Sequence, residues 1–487
     1  MTRPNTCLAL CLAFCLPLVL AGCEKPDSNK QTMNARMNAL ADRYVEAALE
    51  RTPEMAYFTG LPAPTHARLS DNSLQALAQW RAFEDAMAVE LEAIDPDKLD
   101  KREWMAWGGM KELLEASRGL SVCRSELWQT VNHMFGWHLG MSFIASRQPV
   151  ATAAEREDAL QRWRGLPVYV DTEITNLTEG LEKGYSAARP VALAMLKQID
   201  GMANSPAEDW PLYSMAERAG DEAFTKELVT LIDNDLRAAV ERYREFLQHT
   251  YIPAAREDLS VTALPEGETC YRAMLRDYTT LDRNADAVFV LGKSTVEGNL
   301  EKVRAIASKE FGLSELDAIV AHVNEAPDNR FESEEHIVEH SRAIVRAARE
   351  KVAPLFLSLP EAPVVVEPFP EYQRGSGRSS HYQPPGNDGE PGEYRISLDF
   401  WETETIGGAE ITAVHEAWPG HHLQIGRTVL LSEHLTRFQR HRCEIAGYVE
   451  GWGLYAEQLM DELDFFDEPA DQLGFLRGQF LRTARVL

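Results

Sequence analysis

Two short segments limit what this chain can fold into more than any other feature. The first is His415-Glu416-Ala417-Trp418-Pro419-Gly420-His421-His422. The second, about thirty residues on, is Glu450-Gly451-Trp452-Gly453-Leu454-Tyr455-Ala456-Glu457. Three imidazoles and a carboxylate within eight residues have the density of a metal site. On a helix, the two glutamates of the second segment, seven apart, lie on one face. A hydrolytic zinc ion takes three ligands of His and Asp/Glu type, keeps one position open for water, and needs a carboxylate base beside that water. His415, one of His421 and His422, and Glu450 can supply the ligands, and Glu416 the base. Any fold of this chain must then lay the two segments side by side. Their separation suits neighbouring helices of an antiparallel pair.

The spacing leaves the second ligand open. A zincin helix usually carries its two histidines four apart, on successive turns of one face. Four residues after His415 stands Pro419. On an unbroken helix a seven-residue step returns to nearly the same face and a six-residue step does not, which favours His422. Pro419 removes a backbone donor and Gly420 loosens the chain, so a kink there would aim His421 instead. Both stay candidates. Glu457 is a candidate for holding a ligand histidine through its other ring nitrogen.

At these residues the chain resembles a bacterial family, domain of unknown function 885. The segment from His415 to Gln424 and the segment from Glu450 to Leu459 resemble its signature. Arg51-Thr52-Pro53-Glu54-Met55-Ala56-Tyr57-Phe58-Thr59-Gly60 resembles an N-terminal motif of the family. Gly180 to Pro190 resembles a second motif, with the final Pro and Arg in reversed order, and Gly386 to Tyr394 a glycine-rich turn before the metal helix. The likeness runs from about residue 35 to the end. It implies a lipoprotein related to the helical gluzincin-type zinc peptidases, the broad group of angiotensin-converting enzyme and thimet oligopeptidase. That group's fold is mainly α, a large multi-helical body. Family members usually continue about a hundred residues further, so the chain is expected to be truncated at its C-terminus. A residue stabilising the oxyanion would then lie in the missing part.

The N-terminus reads as an export signal. Arg3 precedes an apolar run from Leu8 to Leu20, too short for a comfortable membrane span, and Leu20-Ala21-Gly22-Cys23 is a lipobox. Cys23 is the expected lipidation site. Residues 1–22 are the signal peptide and 23–34 a polar, flexible tether. The body divides into a helical region, 35–350, and a metal-site region, 351–487. Of the seven cysteines, Cys123, Cys270 and Cys443 lie beyond the leader and the lipobox. Three are not expected to form a disulfide framework. The formal charge of −27 repels polyanions, so nucleic acid is not an expected partner. The expected partners are a peptide substrate and, through the lipid, a membrane facing the periplasm or cell exterior.

Apolar residues recur at helical spacing through most of the chain. Met37, Leu40, Ala41, Tyr44 and Val45 form one stripe, and Leu74, Leu77, Trp80, Phe83, Met87 and Leu91 another. Trp104 to Leu114 reads as a helix. A single long helix is expected from Ala151 through Leu181, and another through Leu228, Leu231, Ile232, Leu236, Val240, Tyr243 and Leu247. From residue 351 prolines interrupt this texture. Val364-Val365-Val366 and Tyr394 to Leu398 read as strands, a small β element just before the metal helix. An edge strand there can pair with a peptide substrate by β-augmentation. Arg374, Arg378 and Tyr382, on the intervening loop, are candidate substrate contacts, Arg because it can clamp a carboxylate through two parallel bonds. His336, His340, His434 and His441 lie on charged helices, where exposure is expected. The reading is one zinc ion per chain in a hydrolase of small peptides. The alternative is a non-catalytic, metal-containing lipoprotein that binds peptides or envelope partners.

Overall fold

The computed structural model describes residues 28–369, 374, 379–384, 391–441 and 445–485; Cys23, Arg378 and Cys443 lie outside them. Among the described residues helices dominate, with one three-stranded sheet. None of these helices is long and apolar enough to cross a membrane.

The first helix, Ser28–Arg51, begins inside the segment read as a tether. Its stripe is buried as expected and packs on Met87 and Leu91 of helix Leu74–Glu92 and on Met110 and Leu114 of helix Lys101–Leu120. Phe438, far along the chain, joins this core edge-on to Tyr44 at 5.9 Å between ring centroids. Its short helix, Arg437–His441, also buries His441, which the charged sequence around it had marked for exposure. A helix tethered by one buried aromatic has an inner face whatever its composition.

The largest core lies between residues 131 and 255. The expected single helix from Ala151 is two, Ala153–Arg164 and Leu166–Glu182. The first opens on a capping box between Thr152 and Glu155. Pro167 lacks an N–H, so the hydrogen-bond ladder restarts there with proline in the first turn, where its donor is not needed. Trp163, Leu166, Val170 and Leu177 are buried on both sides of the break. The run from Leu228 to Leu247 contains one wide π-type turn, Ile232–Leu236, and ends on a second, Leu247–Tyr251. The first wide turn re-phases the stripe toward the core, and every predicted position of that stripe is buried.

The cysteine expectation is corrected. Cys123 and Cys270, 147 residues apart, form a disulfide. It joins a short turn after helix Lys101–Leu120 to the first turn of helix Gly267–Thr279. An odd cysteine count excludes full pairing, not one bridge, and only the fold brings so distant a pair together.

The third core surrounds the sheet and the metal segments. The strands are β1 (Val364–Pro368), β2 (His381–Gln383) and β3 (Gly392–Ile396), in the order β1-β3-β2. β1 runs parallel to β3, with Val366 beside Tyr394, and β2 antiparallel, with Tyr382 beside Tyr394. β2 lies in a segment read as loop, since three residues are too few to show alternation. Helix Glu334–Val352 lies along β1, where Arg342 Nε donates to the Val366 carbonyl at 3.0 Å. Of the histidines expected to be exposed, His340 on this helix instead meets Glu410 at 2.8 Å.

Candidate metal centre

The first segment is a helix broken on purpose-built terms. Thr405 caps helix Ile406–Glu416, its side chain accepting from the Gly408 amide. The helix stops at Ala417, the Trp418–Pro419 peptide is cis, and a new helix starts at His421. Pro419 has no N–H to offer, and the Gly420 amide donates instead to the Val414 carbonyl at 3.1 Å. A Cβ on Gly420 would run into the backbone carbonyl of His415, so the fold of the break requires glycine. The second segment holds the break from outside. Trp452, on helix Ala446–Glu462, donates its indole N–H to the carbonyls of Pro419 (2.9 Å) and Gly420 (3.2 Å).

This break turns His421 toward His415, edge to face at 4.8 Å between ring centroids. Glu450 completes the group. One of its oxygens is 3.5 Å from His415 Nε2 and the other 3.9 Å from His421 Nε2. The three ligand atoms lie within 4.8 Å of one another. Tetrahedral zinc with ligands at 2.0–2.1 Å needs about 3.3 Å between ligand atoms, so small side-chain shifts suffice. Two imidazoles and a carboxylate are also the donor types zinc accepts, and the residues therefore fit it. His415 and His421 are buried, whereas the Glu450 side chain is 66% exposed, which leaves one side open to solvent.

Behind these three residues lies Glu457. It is fully buried, and its carboxylate meets His415 Nδ1 at 2.7 Å. Arg482 pairs with both carboxylate oxygens, at 2.9 and 2.8 Å. With Nδ1–H donating to Glu457, His415 Nε2 is left free to ligate. Gly453 makes this approach possible, since a Cβ there would meet three atoms of the His415 ring at 2.5–2.8 Å.

His422 is corrected as a ligand. Its Nδ1 accepts from the Tyr382 hydroxyl at 3.0 Å, and its Nε2–H donates to the Ala362 carbonyl at 3.0 Å. A seven-residue step returns to one face only on an unbroken helix, and the break removes that condition. Tyr382, a candidate substrate contact, uses its hydroxyl on His422 and its amide on Glu416 Oε2 at 2.8 Å. Arg374 is likewise engaged elsewhere, with Glu334 at the start of helix Glu334–Val352 at 3.0 Å.

The electrostatics follow from this packing. Burial lifts the Glu416 carboxyl to about 7, against the opposing pull of His415 and the Tyr382 amide. Burial works against a proton on His415, but the hydrogen bonds to Glu450 and Glu457 outweigh it and raise the imidazole to about 9. That proton is the one a cation would displace. Burial and the neighbouring His415 charge lower His421 to about 4, so it is neutral and ready to ligate at physiological pH. His415 holds the Glu450 carboxyl below its usual range.

The roles of Trp452, Gly453 and Arg482 were not foreseen from the sequence. A signal existed for two of them, Trp452 and Gly453. Tryptophan and glycine interleaved with the glutamates of one helix mark a face that meets another backbone closely. Arg482 carries no such mark.

The fold and the site define a mainly helical protein with a small mixed sheet and a clustered pair of histidines with one glutamate. The chain belongs to the family described as bacterial protein of unknown function (DUF885), which matches residues 53–487. A crystal structure described as "the putative lipoprotein from Colwellia psychrerythraea" is similar over 94% of this chain and 82% of that one, with a TM-score of 0.81 and 19% identity. At that identity the likeness shows a shared fold. No curated protein matches the chain.

Proposed function

We propose that this protein is a zinc-dependent peptidase of the gluzincin type, tethered by lipid at Cys23 and working on extended peptides in the cell envelope. The observation that carries the reading is the convergence of His415, His421 and Glu450, with the partly buried Glu416 carboxylate beside them and Glu457 behind His415. When bound there, zinc supplies Lewis acidity, making a water acidic near neutral pH and polarising a carbonyl.

The chain's own groups do the rest. Glu416, whose burial favours the protonated carboxyl, is placed to take a proton and give it back. It accepts a proton from the attacking water and delivers it to the amide nitrogen as the C–N bond breaks. Glu457 holds His415 in one tautomer. β2 ends the sheet order, and its Tyr382 amide is turned away from β3 toward Glu416. A peptide added along that edge would run past the ligand group with its backbone bonded to the strand. The lipobox supports the envelope location, and so does the Cys123–Cys270 disulfide, since such bonds persist in oxidising compartments.

Two measurements test the reading. Purified protein should contain one zinc per chain, and a peptide-library digest should show cleavage that Glu416→Gln abolishes without loss of metal. Stoichiometric zinc with no hydrolysis would instead favour a non-catalytic metal-containing lipoprotein. For the anchor, a tagged fatty acid should label the wild type in cells and not Cys23→Ser.

A further inference from the structure

The second histidine of the pair has a part in this geometry that metal binding does not give it. We infer that His422 is a positioning residue, which clasps the edge strand β2 through Tyr382 and so sets where that strand meets Glu416. The inference rests on the peptidase reading for its catalytic consequence but not for its structural one.

Three parts of the sheet converge on His422. Its Nε2–H donates to the carbonyl of Ala362, two residues before β1. Its Nδ1 accepts from the hydroxyl of Tyr382, the middle residue of β2. Between them passes Gly392, the first residue of β3. A Cβ on Gly392 would stand 2.6 Å from the Tyr382 hydroxyl oxygen and 2.9 Å from His422 Nδ1, so glycine keeps this path clear. Both ring nitrogens of His422 are thus used, and the ring is buried with no side open to a cation.

The consequence lies at the other end of Tyr382. With its phenol fixed, the residue presents its amide to Glu416 Oε2 at 2.8 Å. β2 is three residues long and paired to β3 on one side, so it has few bonds of its own to fix its position. The clasp supplies the missing constraint. His421 and His422 then divide the work, one facing the ligand group and the other holding the strand along which a peptide backbone would lie.

The test uses Tyr382→Phe, which removes the hydroxyl alone and keeps the strand's backbone. Metal-free wild type and variant are compared by residue-resolved hydrogen exchange. The amide at position 382 should exchange roughly tenfold faster in the variant, the effect of losing one buried hydrogen bond, while the amide of Tyr394 in β3 keeps its protection. His422→Asn should give the same pattern, and the double variant should add little to either. Zinc content should stay at the wild-type level in both, and kcat/KM on extended peptides should fall by a similar factor. Unchanged exchange at position 382, or equal acceleration across the whole sheet, overturns the inference. The exchange measurement needs no hydrolysis, so a protein that binds no zinc would sink the peptidase reading and leave this result to be judged separately.

Discussion

The core between residues 131 and 255 and the region around His415 are both deeply buried, but they are built on opposite plans. In the first, long apolar side chains such as Trp163, Leu177, Tyr243 and Leu247 repeat at helical spacing and fill one shared interior. Breaks at Pro167 and at the wide turn Ile232–Leu236 only re-aim the same stripe. In the second, the break itself is the working part. Gly420 has no room for a side chain, Trp452 bonds the carbonyls of the break, and Gly453 lets one helix touch the His415 ring. Cores of the first kind tolerate volume-conserving exchange. The second kind depends on single atoms. The contrast should appear as a separation of stability from metal binding and chemistry.

On the peptidase reading proposed above, the largest effect is expected at Glu416. Glu416→Gln keeps size and removes basicity, and peptide hydrolysis should fall by about 10²–10⁴ with zinc retained. Hydrolysis at the wild-type rate would show that this group is not the base. The opposite signature belongs to the large core. Trp163→Ala should lower unfolding stability by about 3–5 kcal/mol in denaturant titrations, with zinc affinity unchanged in the folded protein. Gly453→Ala should displace the His415 ring and weaken zinc, with a smaller stability loss of about 1–3 kcal/mol from overpacking. If Trp163→Ala lost zinc as readily as Gly453→Ala, the two regions would not be separable and the contrast would fail.

A finer division runs through the histidine pair. On the zinc reading proposed above, His421→Ala would remove a ligand and should weaken zinc by more than about 100-fold, beyond the usual 10–100-fold effect of supporting groups. His422→Ala should fall below that range, because its ring serves the sheet. Competition titrations with a chelator measure both. A larger loss at His422 than at His421 would overturn this assignment, and equal losses would show that the two rings do not divide the work.

These cases also show what a sequence discloses. The stripes Met37 to Val45 and Leu228 to Leu247 were legible because burial repeats at the helical period. His415, Glu416, Glu450 and Glu457 were legible because ligand chemistry restricts residue type and spacing. The choice between His421 and His422 was not, since it depends on backbone direction across Pro419 and Gly420, which periodicity cannot report. β2 was hidden by its length of three residues, and the Cys123–Cys270 bridge by the long chain between its ends. Arg374 and Tyr382 were singled out for chemistry that their neighbours Glu334 and His422 have already claimed.

The smallest predicted effect lies where the site helix is packed from behind. Asp471, in the first turn of helix Pro469–Ala484, approaches the same helix that carries His415, next to Gly407. Its carboxyl is lifted to about 7 by burial first and then by the carboxylates of Glu410, Glu468 and Asp467, with His340 opposing. The folded-state value stands above the unfolded one of about 3.9. Stability from this group is therefore complete below about pH 4 and is lost as pH rises toward 7, because the unfolded chain releases its proton earlier. Above that range both states are ionised and the loss is constant. Asp471→Asn cannot ionise and should escape the loss. Because Asp471 is partly exposed, solvent screening reduces the gain to the order of 1 kcal/mol at pH 8, vanishing near pH 4. Thermal unfolding of variant and wild type across this range reads it directly. A difference that stays flat with pH would mean that Asp471 is ordinarily solvated. The rear of the site helix would then be ordinary packing of the kind seen between residues 131 and 255, and the dependence on single atoms would be confined to the face that carries His415.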